Sequence, residues 1–361
     1  MQLHDIARLR LRNQGLSFAR MKTPSDVVRH LGAVQAQDYP ASLWAIGLRM
    51  PDATKADIER AVAGKAVVRT WPMRGTLHFV PAEDARWMLD LLTPRVVAAR
   101  QQRQLAGDEV NVKRARSVIS RALEGGRTLT RKDAKEVLER KGVSVEGQRG
   151  YHVMGLLAQE GLICFGTHQG KQPAFVLLDE WAPKQRKLDR EESLAELARR
   201  YFTSHGPATV HDFAWWSGLT LRDVRAGIEL AGSDLEEATV DGKTFWLGPS
   251  AAAGSIEPEA HLLPPFDEYL VAYRDRTAAL SRSGQAAASE IVLGPVVVIA
   301  GKVRGLWNRK TDAKGAIIEV RPIASLSDAE TAAVTAAAER YETFVDGQGT
   351  VEVRVEAPGH H

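Results

Sequence analysis

The chain predicts a mixed α+β protein: three tandem blocks of helices closed by a β-hairpin, then a β-rich, barrel-like C-terminal domain. Three observations carry that expectation. The order helix, helix, helix, hairpin recurs three times before residue 250. The third hairpin is marked by Asp241-Gly242 between two apolar runs, a strong signal for a two-residue β-turn. Beyond the small-residue linker Ser250-Ala251-Ala252-Ala253-Gly254 the texture turns to strands around one alanine-rich helix. Three helices plus a hairpin is the winged-helix plan, so the fold class is α+β with three tandem winged-helix domains. Domain boundaries fall at 1–105, 106–187, 188–250 and 256–357, and 358–361 is a tail whose His360-His361 reads as a tag remnant.

In chain order, residues 3–14 and 24–36 carry apolar residues at spacings of three and four and read as helices. Thr23-Pro24 supplies an N-cap and a first-turn proline to the second of them. Shorter helices are expected at 41–49 and 54–64. The period then changes to two, predicting strands at 66–71 and 73–80, with Arg74, Thr76 and His78 on one face of the second. A cation, a hydroxyl and an imidazole on one strand face can line a polar site; a plain solvent-facing strand gives the same pattern. A long helix follows from Pro81 to about 104, carrying Trp87, Met88, Leu91 and Leu92 inward.

The second block predicts helices at 110–125, 130–141 and 147–161 and strands near 162–167 and 173–179. Thr130 caps the middle helix and Gly161 ends the third. The third block predicts helices at 190–205, 209–217 and 220–232 and strands at 235–240 and 243–248, with Thr209 and Thr220 at the N-caps. The last domain has strand candidates at 296–299, 302–307, 315–320 and 351–355 and a helix at 327–344, and it is expected to be partly closed.

Val34-Gln35-Ala36-Gln37-Asp38-Tyr39-Pro40 is the unusual stretch. In a continuing helix the two glutamines would face opposite ways. Pro40 disfavours the α region at Tyr39, so the helix is expected to end near Gln37, and an unwinding turn there aims both amides at one target. Amides have donors and acceptors but no useful pKa, so such a pair positions water, a phosphate or a base edge and is not a strong base. Two ordinary polar residues at a helix end would look the same.

The formal net charge is only +3, but residues 95–149 hold 14 Lys/Arg against 7 Asp/Glu while 251–361 hold 11 against 15. A basic front points to a polyanion, although solvated helix faces produce such numbers too. The single cysteine, Cys164, sits in an apolar run, which excludes a disulfide scaffold and a cysteine-based metal site and favours a cytoplasmic protein. No apolar run reaches transmembrane length. The histidines at 205, 211 and 261 have no metal-ligand spacing with neighbouring acids, so no metal is expected. Asp267 and Glu268 are candidate acid–base carboxylates, but Pro264-Pro265 beside them favours a structural turn.

Four motifs occur in a fixed order: Val34-Gln35-Ala36-Gln37-Asp38, Met73-Arg74-Gly75-Thr76-Leu77-His78, Leu263-Pro264-Pro265-Phe266-Asp267-Glu268-Tyr269 and Gly301-Lys302-Val303-Arg304-Gly305-Leu306-Trp307. Together they resemble the winged-helix DNA glycosylases of the AlkZ/YcaQ type, from residue 3 to about 356. The resemblance implies a clamp of three winged-helix domains on double-stranded DNA. It also implies hydrolytic removal of alkylated purines, with crosslinks as further substrates. It makes Gln35 and Gln37 the catalytic pair, matching a Gln, hydrophobic residue, Gln motif; Asp38 stands one place too late for the acidic version. Arg74, Thr76 and His78 are expected at the DNA or in support of the glutamines. His168 and Lys171 are expected on a lesion-probing wing at 166–172. No cofactor is expected, and a monomer is. The competing expectation is a non-catalytic winged-helix regulator, which would bind DNA with strong sequence preference.

Overall fold

The computed structural model describes residues 3–17, 21–170, 172–249, 259–280, 293–312, 315–346 and 351–357. The chain begins with α1 (Leu3–Asn13), α2 (Pro24–Leu31), the short extended segment β1 (Val34–Gln35), α3 (Tyr39–Gly47) and α4 (Lys55–Ala63). Next come β2 (Val67–Met73), β3 (Thr76–Pro81), α5 (Ala85–Leu92) and α6 (Pro94–Gln104). The second block holds α7 (Glu109–Leu123), β4 (Leu129–Thr130), α8 (Arg131–Arg140), α9 (Arg149–Gln159), β5 (Ile163–Gln169), β6 (Gln172–Leu177) and α10 (Leu178–Trp181). The third holds α11 (Arg190–His205), α12 (Val210–Ser217), α13 (Leu221–Ala231), β7 (Glu236–Val240) and β8 (Lys243–Leu247). The last region contains β9 (Ala260–Leu263), α14 (Glu268–Val271), β10 (Val296–Ile299), β11 (Lys302–Asp312), β12 (Gly315–Pro322), α15 (Asp328–Asp346) and β13 (Val351–Val355).

These elements form two compact units. One joins Met1–Glu59 to Ala195–His361; the other is Arg60–Leu194. In the second unit the strands stand in the order β3-β2-β5-β6-β4. Its core packs Trp71 and Leu77 of the first hairpin with Ile119, Leu123, Leu138, Leu156 and Phe165. Cys164 is buried and unbonded, and burial pushes its thiol pKa far up, so it behaves as an inert apolar group.

In the first unit an open sheet runs β13-β12-β11-β10-β9, antiparallel except for the β12–β13 pair. Helix α15 lays Val334 and Ala338 on Leu262, Val297, Ile318 and Val320. The expected barrel-like closure is therefore corrected: among the described residues β9 and β13 are the two ends of the strand order, and one helix covers the apolar face that closure would have buried. Three helices, α11 to α13, precede the β7–β8 hairpin in this unit, with Asp241 and Gly242 at φ 48° and 73° in its turn. Thr209 forms a capping box with Asp212, and Thr220 caps α13.

Four sequence expectations change. The long helix from Pro81 breaks into α5 and α6, because Pro94 has no N–H to continue the ladder and crowds the preceding turn. The strand expected from residue 73 begins at Thr76, because Arg74 and Gly75 take the hairpin turn at φ 50° and 76°. Arg74 therefore does not share a strand face with Thr76 and His78. The helix expected to reach 36 stops at Leu31, where Gly32 at φ 79° turns the chain and donates to the Arg29 carbonyl. Tyr39 is helical after all, since Asp38 caps α3 by accepting from the Ala41 N–H at 3.1 Å, with Pro40 in the first turn.

Candidate active site

Gln35 ends the short extended segment β1, and Gln37 stands at a bend just before α3. Ala36 is fully buried, Gln35 is half-buried and Gln37 is exposed. The pair thus lies on a connection between two helices and not on a fraying helix end.

Gln35 is pinned from behind. Its backbone N–H donates to Glu268 Oε1 at 2.9 Å across 233 residues of sequence. The other carboxylate oxygen of Glu268 accepts from Trp216 Nε1 at 2.9 Å, and His205 Nε2 lies 3.7 Å from it. Glu268 is 1% exposed. His205 is fully buried between Tyr201, stacked at 4.8 Å, and Trp216, and its Nδ1 lies 2.8 Å from Ser204 Oγ. Burial lowers the His205 pKa more than the nearby Glu268 carboxylate raises it, so the imidazole is neutral at neutral pH.

Asp267 sets the orientation of this bracket. It caps α14 by accepting from the Tyr269 N–H at 2.9 Å and takes two 2.8 Å bonds from Arg49. Arg49, fully buried, also donates to the Gln14 carbonyl and side-chain oxygen, each at 3.0 Å, and to the Ala45 carbonyl at 2.7 Å. Gln14 passes the network on to the Tyr273 hydroxyl at 2.9 Å, which donates to the His205 carbonyl at 2.8 Å. A densely hydrogen-bonded, buried polar network thus lies behind the Gln35 peptide. One acceptor stands out. Gln35 Oε1 is enclosed yet makes no hydrogen bond, a state that costs about 1–3 kcal/mol and is relieved by any donor reaching it.

The other expected site residues fall in the second unit. Arg74 is half-buried in the β2–β3 turn. Thr76 donates its hydroxyl to the Met73 carbonyl at 3.3 Å, and His78 Nδ1 lies 3.0 Å from the Thr76 carbonyl. His78 is fully buried. His168 is half-buried on β5 opposite Pro173, and Lys171 lies outside the described residues. Sequence reasoning missed the meeting of Glu268, His205 and Trp216 behind residue 35. The Asp267-Glu268 pair was visible, but nothing local pointed its second member at residue 35. Among the described residues no group of His, Cys, Asp and Glu side chains could hold a metal ion, and no helix is long and apolar enough to cross a membrane.

The scaffold is mixed α+β, and comparison places the chain among DNA glycosylases. It belongs to the AlkZ-like family: the model described as DNA glycosylase AlkZ-like matches residues 28–344. An interstrand DNA cross-link repair glycosylase of Streptomyces sahachiroi is 28% identical over 317 residues, covering 82% of this chain and 85% of that protein. The solved structure of Streptomyces sahachiroi DNA glycosylase AlkZ has a TM-score of 0.77 at 23% identity, covering 99% of this chain and all of that one, which is a likeness of fold.

Proposed function

We propose that this chain is a monofunctional DNA glycosylase that hydrolyses the N-glycosidic bond of cationic N7- or N3-alkylated purines in double-stranded DNA. Bulky adducts and interstrand crosslinks are included, a reading supported by the name of the Streptomyces sahachiroi relative. It works as a monomer in the cytoplasm, without metal or cofactor. Winged-helix modules at 1–105, 106–187 and 188–250 and the β-rich domain at 256–357 are its parts. Arg74 and Thr76 face DNA, His78 supports their hairpin from inside, and His168 and Lys171 sit on a wing that probes the lesion.

The observation that supports this function most directly is the Gln35 side-chain oxygen, enclosed and without a donor, two residues before Gln37. An alkylated purinium is already a good leaving group. As the C1′–N bond breaks, its electron pair returns to the base and cancels the purinium charge, while positive charge develops at the sugar. Water adds to C1′ and releases a proton to solvent. No strong base is needed. The protein has only to place the water and face the sugar with negative dipole ends, and amide oxygens do both.

The test is base release from duplexes carrying 7-methylguanine or an N7-linked crosslink, by wild type and by Gln35→Ala/Gln37→Ala. Alkali-labile abasic sites from wild type, reduced at least about 100-fold in the double variant, are expected. An unchanged excision rate in the double variant overturns the water site. Absence of release from any alkylated duplex, with DNA binding intact, overturns the activity. In the same assay His168→Ala and Lys171→Ala at wild-type binding and rate would remove the probing wing.

A further inference from the structure

We propose that Glu268 is a positioning residue for excision: it fixes the backbone at Gln35, and with it the direction of the Gln35 amide, and it acts through Gln35 without touching substrate. The inference rests on the reading of Gln35 and Gln37 as the water-holding pair.

Two roles are open to a carboxylate so close to a hydrolytic site. As a general base, Glu268 would need a free oxygen within reach of water. It is 1% exposed, and each oxygen is taken by an N–H donor at 2.9 Å, Gln35 on one and Trp216 on the other. Its Oε1 faces the peptide N–H of Gln35. That excludes the base and leaves the brace. Burying a carboxylate is costly unless its bonds are charge-assisted, and such bonds are roughly twice as strong as neutral ones. The elements around it hold the brace still: Asp267 is clamped by Arg49 from the end of α3, Trp216 comes from α12, and neutral His205 comes from α11. Gln14 of the chain after α1 donates to the Glu268 carbonyl at 3.5 Å. The described extended structure between α2 and α3 is Val34–Gln35, so a fixed acceptor at the Gln35 N–H holds the backbone that carries the Gln35 side chain and leads to Gln37. The spacing that gives a glutamine pair in the sequence thus becomes a working pair through a residue from the far end of the chain.

Glu268→Gln tests this. The shape is kept, but one of the two heteroatoms becomes an NH2 that must face an N–H, so one of the two bonds is lost. Single-turnover release of 7-methylguanine from a duplex is expected to slow by about 10- to 100-fold, with the Kd for undamaged duplex within about twofold of wild type. Because Glu268 acts through Gln35, the double variant Glu268→Gln/Gln35→Ala should be no slower than Gln35→Ala alone. Merely structural weakening would instead multiply the two losses, and that result overturns the proposal. So does a wild-type rate in Glu268→Gln when Gln35→Ala is slow, which leaves the water-site reading standing. A wild-type rate in Gln35→Ala removes the water site first and the brace with it. If Glu268→Gln does not fold, Trp216→Phe keeps the carboxylate and removes one of its donors. Slowing of about threefold or more, absent when Gln35 is already Ala, supports the proposal; a wild-type rate overturns it.

Discussion

Replacing Asp267 with Ala should show how much of the site's rigidity rests on one buried ion pair. The Arg49 and Asp267 side chains are 0% and 1% exposed, and they share two 2.8 Å bonds. After truncation Arg49 keeps its three carbonyl-type acceptors on Gln14 and Ala45 but has no counter-charge. Breaking a buried pair from one side costs about 3–5 kcal/mol, and loss of the α14 cap adds about 1 kcal/mol. For a cooperative unit of this size each kcal/mol is worth roughly 2–4 °C in Tm, so calorimetric melting near neutral pH should fall by roughly 8–24 °C. Arg49→Met should cost a comparable amount, leaving a buried carboxylate instead. The double variant Arg49→Met/Asp267→Leu should lose less than either single one, because no orphaned charge remains. A Tm within about 2 °C of wild type for Asp267→Ala would refute the reasoning. So would a double variant whose loss equals the sum of the singles, since that means the two side chains do not share an interaction.

Two further expectations follow from buried groups elsewhere in the same unit. His261 on β9 is fully buried, and burial, aided by Arg340 and Arg49, lowers its pKa from 6.5 to about 3. The folded protein therefore holds it neutral while the unfolded chain takes up a proton, so stability is full above pH 6.5 and is lost as pH falls toward about 3. Urea midpoints measured across that range should fall with acid, and His261→Leu should flatten the slope by up to about 1.4 kcal/mol per pH unit; an unchanged slope would refute the assignment. At the tip of the β10–β11 hairpin, Ala300 and Gly301 sit at φ 48° and 81°, and a Cβ on Gly301 would lie 2.9 Å from the Ala7 side chain and 3.1 Å from its carbonyl oxygen. Gly301→Ala should destabilise by about 1–3 kcal/mol in chemical denaturation by strain and by prising α1 from the hairpin, and a neutral effect would show that the approach is not tight.

Legibility in the sequence followed the range of the interactions. The third block was readable almost to the residue: Thr209 and Thr220 cap helices by accepting from the backbone N–H three residues on, and Asp241-Gly242 makes its turn within four residues. Where a local rule had a local competitor, expectation slipped. Met73-Arg74-Gly75-Thr76 reads as period-two strand, but an Arg-Gly pair also makes a two-residue turn, and the turn prevailed, which takes Arg74 off the face it was assigned. Pro94 broke the long helix by a rule that the apolar spacing of Trp87 to Leu92 had masked. The glutamine pair itself was legible as an oddity, but its conformation was not, because Gly32 ends the helix at Leu31, five residues earlier than the apolar pattern suggests.

The bracket behind that pair could not be read locally at all. It joins residue 35 to residue 268 and draws in Gln14, Arg49, His205 and Trp216, so its logic exists only after the first and last parts of the chain have come together. This separation has a chemical rationale. A charged carboxylate at the water would be the obvious base, and a cationic purinium does not require one. On the proposed reading, neutral amides at the water and the carboxylate behind the Gln35 peptide keep rigidity and chemistry on different groups. The two are then separable by experiment: loss of the amides should remove the chemistry, and loss of the carboxylate should loosen the geometry that the amides depend on.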